Sequence, residues 1–327
     1  MAFFKKDAFL QTLGDQILDA TWDAFPKLAK NQLAMTWLIY DQPFVNTGGA
    51  LSPLEFWSRS PLGFSYRGIE PIYPASVVKL FYLVAAHEWL EQAMVAPSQE
   101  FDRAMRDMIV DSSNDGTGLV VDFLTGTTSG PELSPEPFET WKYQRNFVNR
   151  YFQSLEWEEF EGINVCQKTW GDGPYGRERS FYGETLNNRN KLTTDAAAKL
   201  LHGIIGGVTV SATRSQIMMD LLKRSIDPQT LKADPENQVS GFLGDGLPLQ
   251  SQLWSKAGWM SSARHDAAYI EVPEVTPYLL VVFTEGTENS ASELILPFIS
   301  SQVLSKMRSR KSRLQAPSES SPVIKIM

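Results

Sequence analysis

From Val77 to Leu90 the chain is apolar around nearly the whole circumference of a helix, through Val78, Leu80, Phe81, Leu83, Val84, Ala85, Ala86 and Trp89. A helix without a polar face must be buried on all sides, so the rest of the chain has to wrap it. The 327 residues, 43% hydrophobic and 21% charged, suffice for one large or two interleaved domains. Lys79 sits inside this run, where lysine is rarely tolerated without a partner. Ser76 stands three residues before it, a spacing that puts both side chains on one helix face and lets them exchange a proton. Pro74 suits a helix start, where its missing N–H costs nothing, and puts Ser76 in the first turn among free backbone donors. An alkoxide or oxyanion formed there would be stabilised.

Around this helix the elements come in a broken order. A helix near Ala8 to Ala24 and strands at Thr36 to Tyr40 and Gly63 to Tyr66 precede it. Helical segments then run to about Arg224, and strands resume near Leu253 and at Tyr278 to Phe283. A Gly/Pro/Ser/Thr-rich loop is expected from Gly126 to Pro137, an aromatic-rich helix from Thr140 to Leu155, and a glycine-rich loop from Gly171 to Asn190. The last helix, Ser292 to about Arg308, carries Leu294, Ile295, Phe298, Ile299 and Val303 at helical spacing. Strands at both ends with helices between them predict an α/β (α+β) fold: an antiparallel sheet flanked by helices and built from both termini, with an inserted all-helical domain. The expected division is 1–70 with 208–310 for the α/β domain, 71–207 for the helical domain, and 311–327 for a disordered, Pro-containing polar tail.

A chain of this length carries about one Ser-x-x-Lys by chance, so Ser76-Val77-Val78-Lys79 is weak alone. Its company strengthens it. Ser112-Ser113-Asn114 falls in a short turn between apolar helices, and Lys256-Ala257-Gly258 follows the strand-like Gln252-Leu253-Trp254-Ser255. In this order the three motifs resemble the signature of the class A β-lactamase family of penicillin-recognising serine hydrolases. Thr193-Thr194-Asp195-Ala196-Ala197-Ala198 also resembles the helix start after that family's Ω loop. The resemblance implies a Ser-Lys acyl-enzyme mechanism in which Ser76 is the acylated nucleophile, Lys79 its proton acceptor and Ser112 a relay to the leaving group. It further implies that Asn114 binds a substrate amide, Lys256 supplies positive potential, Gly258 lines the substrate site, and the N–H groups of Ser76 and Trp259 form an oxyanion hole. A lysine serves as base only when neutral, which burial and a nearby cation promote.

Three departures from the family pattern stand out. The family's deacylating glutamate lies four residues before an Asn preceded by Leu, but four before Asn187 is Gly183. Glu184, one residue off, is the favoured candidate, Glu178 is the other, and both would be ordinary as solvated loop carboxylates. Ala257 stands where the family has a hydroxyl for the substrate carboxylate, and Arg264 and His265, expected in a turn, are possible substitutes or a solvated hairpin tip. Ser113 replaces an acidic residue, which bears on the geometry of the turn.

The net charge of −8 and the lack of a long basic run argue against a nucleic-acid partner. The basic cluster at 306–313 reads as solvated, and no apolar run is long enough to span a bilayer. Cys166 has no partner cysteine, and the N-terminus lacks the apolar length of a signal peptide, so a cytoplasmic enzyme is expected. His87, His202 and His265 lack zinc-ligand spacing, and neither metal nor cofactor is expected. No Gly-x-Ser-x-Gly elbow points to a Ser-His-Asp triad. The expected partner is a small molecule with an amide, lactam or ester bond. Two alternatives remain: a glutaminase- or peptidase-like amidase on the same fold, and a binding module that is acylated without turnover.

Overall fold

The computed structural model describes residues 3–315. Strand β1 (Lys5–Lys6) leads into helix α1 (Ala8–Ala24), whose first turn is capped by the Asp7 carboxylate accepting from the Leu10 N–H. Strand β2 (Leu33–Ile39), helix α2 (Pro53–Ser58) and strand β3 (Leu62–Tyr66) follow. The helical middle comprises α3 (Lys79–Glu91), α4 (Gln99–Val110), α5 (Asn114–Thr125), α6 (Pro135–Arg145), α7 (Phe147–Ser154), α8 (Gly176–Tyr182), α9 (Thr194–Gly206) and α10 (Ala212–Leu222). The chain ends with β4 (Lys223–Arg224), α11 (Pro228–Ala233), β5 (Gln252–Met260), β6 (Ala263–Glu271), β7 (Tyr278–Glu285), α12 (Thr287–Ala291) and α13 (Ile295–Gln315).

The strands form one seven-stranded sheet in the order β1-β3-β2-β7-β6-β5-β4, antiparallel throughout except for β1 beside β3. The two ends of the chain meet where β2 pairs with β7, from Leu33 opposite Thr284 to Ile39 opposite Tyr278. All seven residues of β2 are buried because both faces of the sheet are covered. Leu33, Met35, Trp37 and Ile39 pack with α1 and α13, while Ala34 and Leu38 face α3 and α9. The mixed fold with a two-ended sheet flanked by helices is the one the element order predicts.

Helix α3 is as buried as its sequence requires, with eleven of its residues inside, Lys79 among them. Helix α9 is buried along its whole length and packs on β2, β6 and β7. Its first turn is tied to the sheet by polar contacts: Thr36 Oγ1 lies 2.7 Å from Thr194 Oγ1, and Ser65 Oγ donates to Asp195 Oδ1 at 2.9 Å.

Several elements differ from expectation. The supposed helix from Thr140 to Leu155 is two helices broken at Asn146, whose side chain donates to Lys142 O at 3.0 Å and competes with the helical ladder. Helix α6 begins inside the expected loop because Pro135 occupies its first turn. The glycine-rich loop contains α8. Helix α13 continues to Gln315, so residues 311–315, assigned by composition to the tail, are helical, and 316–327 lie outside the described residues. Leu294 precedes the helix and is 68% exposed.

Candidate active site

Ser76 lies in a 3-10 turn, Ala75–Val78, and the α-helix proper starts at Lys79. Ala75 has a φ of 46°, a left-handed conformation that costs free energy in any residue with a Cβ and is held only by its surroundings. Two contacts hold it. Buried His265 on β6 accepts from the Thr284 N–H at its Nδ1 (3.1 Å), which leaves Nε2 to donate to Tyr73 O (2.8 Å). Burial pushes the pKa of this imidazole down to about 4, so it is a neutral strut. The second contact is the edge of β5 against the turn. A Cβ on Gly258 would lie 2.9 Å from Pro74 O, 2.9 Å from Ser76 N and 3.0 Å from Val77 N, so only glycine permits this approach.

Lys79 is fully buried, and its amine reaches across to the turn between α4 and α5. There Nζ donates to Ser112 O and to Asn114 Oδ1 (3.1 Å), and lies 3.3 Å from Ser112 Oγ. Among the described residues no hydrogen bond joins Lys79 Nζ to Ser76 Oγ; the resting amine sits under Ser112. Desolvation lowers its pKa to about 7. Ser112 holds its hydroxyl in place through a left-handed backbone, φ 54°, and Lys256 Nζ donates to that same oxygen at 2.9 Å. Ser112 Oγ thus lies between two lysine amines. Ser113 caps α5, its hydroxyl accepting from the Gly116 N–H at 3.0 Å. That cap explains how the turn keeps its shape without an acidic residue.

Lys256, also fully buried, donates to Gln238 Oε1 and to Ala257 O. Its pKa falls well below the usual lysine value, through desolvation first and then the proximity of Lys79 and Arg224. The Gln238 amide in turn donates to Ile109 O and Val110 O, and Arg224 reaches Ile109 O and Ser255 O. Across the β5–β6 pair, Asp266 stands opposite Ala257. It is fully buried, with Leu243 N donating to Oδ2 and Oδ1 without a partner, and desolvation raises its pKa to about 7. Gln238, Arg224 and Asp266 escaped sequence reasoning because no local pattern links them to the Lys-Ala-Gly motif.

The loop candidates separate. Glu178 is fully buried on α8 and accepts both arms of Arg145, at 2.9 and 2.7 Å, plus Ser129 Oγ at 2.7 Å. Asp122 and Lys168 extend this network, with Lys168 Nζ 2.7 Å from Asp122 Oδ2. Glu178 is therefore committed to anchoring the loop, which corrects its reading as a solvated carboxylate. Gly183 adopts a φ of 82°, a conformation that strains any residue with a Cβ, so a glutamate at the position where the pattern calls for one would be strained and would displace the Asn187 side chain, whose Oδ1 lies 2.2 Å from the Cβ position. Glu184 next to it is exposed.

Arg264 and His265 are not in a turn but within β6, because the β5–β6 turn is confined to 261–262. Arg264 is buried, donates to Ser290 O and Gly241 O, and has Phe242 and Trp259 near its guanidinium. Trp259 itself is 60% exposed, its indole N–H donating to Ser290 O at 3.0 Å. Neither Arg264 nor neutral His265 is a free cation for a substrate carboxylate, which corrects that expectation. Cys166 is buried, and burial pushes its thiol up to about 12. No helix among the described residues is long and apolar enough to cross a membrane.

The profile of the Beta-lactamase enzyme family matches residues 58–307. No curated protein sequence matches the chain. Among solved structures, a β-lactamase from Sphaerobacter thermophilus superposes with a TM-score of 0.59 at 16% identity, over 90% of this chain and 97% of that one. A point mutant of PBP-A, seen as an acyl-enzyme complex with penicillin G, gives 0.62 at 15% identity over 93% and 98%. A class A β-lactamase representative from Bacteroides cellulosilyticus gives 0.59 at 14% identity over 91% and 99%. With more than half its length matched by that profile and its fold shared with these structures, the chain belongs to the β-lactamase enzyme family and is a β-lactamase-like hydrolase.

Proposed function

We propose that the protein cleaves an amide, lactam or ester bond through a covalent acyl-Ser76 intermediate. The observation that carries this reading is the state of Lys79: a fully buried amine, lowered to about 7, one helical turn past Ser76 and joined through Ser112 Oγ to a second buried lysine. In its neutral form the amine keeps two N–H bonds, matched by Ser112 O and Asn114 Oδ1, and turns its lone pair to the Ser76 proton. The Ser76 oxygen then attacks the carbonyl carbon. The proton returns through Ser112 Oγ to the departing nitrogen or oxygen, and the charge on the carbonyl oxygen falls among the backbone donors around Ser76 and Trp259. Water then releases the acid, with Glu184 the nearest sequence candidate for its base.

Turnover of nitrocefin, glutamine and a small aryl ester by the wild type and Ser76→Ala tests this. Loss of turnover in the variant is expected, and full retention would remove the mechanism. The same comparison separates a lactamase from an amidase that uses glutamine or peptide-like substrates. A second reading, acylation with little release, is favoured by one observation: among the described residues no carboxylate hydrogen-bonds Ser76 or Lys79. Intact mass after addition of a penicillin distinguishes the two, because a persistent adduct indicates the slow form and a transient one the enzyme.

A further inference from the structure

Arg189 lies in the segment that leads from α8 to α9, and none of the roles above uses it. Its guanidinium stacks on the Tyr73 ring, 3.4 Å from the centroid, and Nη2 points at Met260 Sδ at 3.1 Å. Both partners flank the reaction centre: Tyr73 precedes Ser76 by three residues, and Met260 follows Gly258 by two. At about 3.3 Å per residue, Met260 is roughly 7 Å along β5 from the point where that strand touches the Ser76 turn. A guanidinium offers five N–H donors. Among the described residues the only hydrogen bond from this side chain goes to a thioether, a weak acceptor, and no carboxylate pairs with it. The group is also only partly exposed, so water does not fully replace the missing partner. An arginine held flat by an aromatic ring, with its remaining donors unspent, is organised to receive a carboxylate.

The position of Arg189 indicates which half of a substrate it meets. Ser112, the hydroxyl that would deliver a proton to the leaving group, lies at the Lys256 end of the stretch of β5 that β4 leaves unpaired. Arg189 lies at the opposite, Met260 end. The leaving group therefore occupies the first end and the acyl half of the substrate the second. We propose that Arg189 is a specificity-determining residue that selects substrates whose acyl half carries a carboxylate, such as hemisuccinyl or glutaryl esters and amides. This rests on the acyl-Ser76 reading for the direction of the substrate, but not for the presence of the anion site.

The test compares 4-nitrophenyl hemisuccinate with 4-nitrophenyl butyrate, which differ in the acyl-end charge and share a leaving group. In the wild type the ratio of kcat/KM favours the hemisuccinate. In Arg189→Gln that ratio drops roughly ten-fold or more, the scale of a lost charge-assisted hydrogen bond. Arg189→Lys, which keeps the charge without the planar fork, recovers part of it. If Arg189→Gln slows both esters equally, the residue is only a clasp between Tyr73 and Met260, and the proposal is overturned. Calorimetric binding of succinanilate against butyranilide decides the anion site without any acylation step. Preferential binding of the anion, lost in Arg189→Gln, supports the site, and equal binding by wild type and variant overturns it. If Ser76→Ala hydrolyses both esters as fast as wild type, the acyl-Ser76 reading fails while the binding comparison still decides the role of Arg189.

Discussion

Gly258 shows how far a single residue controls Ser76, the proposed nucleophile. The three atoms nearest its missing Cβ are backbone atoms of Pro74, Ser76 and Val77, so no rotamer change can relieve the clash. Gly258→Ala must push that turn away from β5, and a displacement near 1 Å costs about 100-fold in rate when reacting atoms are held in place. The expected result is a loss of that order in Ser76 acylation with the far-UV circular dichroism retained. Gly171→Ala, where nothing lies within 4 Å, is the matched control. Lys79 gives the second residue-scale outcome. Its pKa lies near 7 in the fold against 10.5 for a free lysine, because burial penalises the ammonium. In the proposed mechanism the neutral amine is the base, so acylation should rise with pH through about 7 and level off above it. Lys79→Arg, which cannot lose its proton, should abolish it at every pH. Linkage gives the sign for stability: between pH 7 and 10.5 the unfolded chain holds a proton that the folded chain lacks, so Lys79 favours folding as pH rises through that window. A pH–rate profile that is flat from 6 to 9 would contradict the assignment.

Among the elements, those fixed by local chemistry were legible and those fixed by distant partners were not. Helix α1 spans the residues read from sequence because Asp7 is a local cap, and the burial of α3 follows from its uniformly apolar circumference. Ala75 gave no warning of its left-handed backbone, since alanine does not ordinarily mark such a position and the cause lies in β5 and β6. Helix α8 was missed because its stability comes from Glu178 meeting Arg145, Ser129 and, through Arg145, Asp122, residues scattered over the helical region. That pair makes a testable claim about the element. Both side chains are fully buried, so Arg145→Leu leaves an uncompensated carboxylate and should destabilise by about 3–5 kcal/mol. Pairing it with Glu178→Leu should recover a large part of the loss, because the stranded charge is then gone. Thermal melts of the two single variants and the double variant measure this. Additive losses in the double variant would show that the two groups do not act as a pair.

At the scale of the whole molecule, the sheet joins the ends of the chain while the proposed reaction centre collects basic side chains. The net charge is −8, yet Lys79, Lys256 and Arg224 converge on one buried region, where buried Asp266 faces Lys256 and Arg224 and exposed Asp111 also acts on Arg224. Such a cluster sets folding against function, since each buried charge costs stability and positive potential serves an oxyanion. Asp266 separates the two demands. Its carboxyl is raised to about 7 from 3.8, mainly by desolvation, so between those values the folded chain holds the extra proton and Asp266 costs stability as pH rises. Asp266→Asn keeps an oxygen for the Leu243 N–H but removes the charge. The melting temperature of the variant relative to wild type should therefore be higher at pH 8 than at pH 4, by a few degrees. Acylation should move the other way: without its counter-charge Lys256 loses its proton more readily, and the cleft holds an anionic substrate more weakly, seen as a raised KM. A variant that gained neither stability at pH 8 nor KM would show that Asp266 is indifferent to the cluster beside it. A gain in stability with weaker binding would show that this sheet carries a strained charge for the sake of its chemistry.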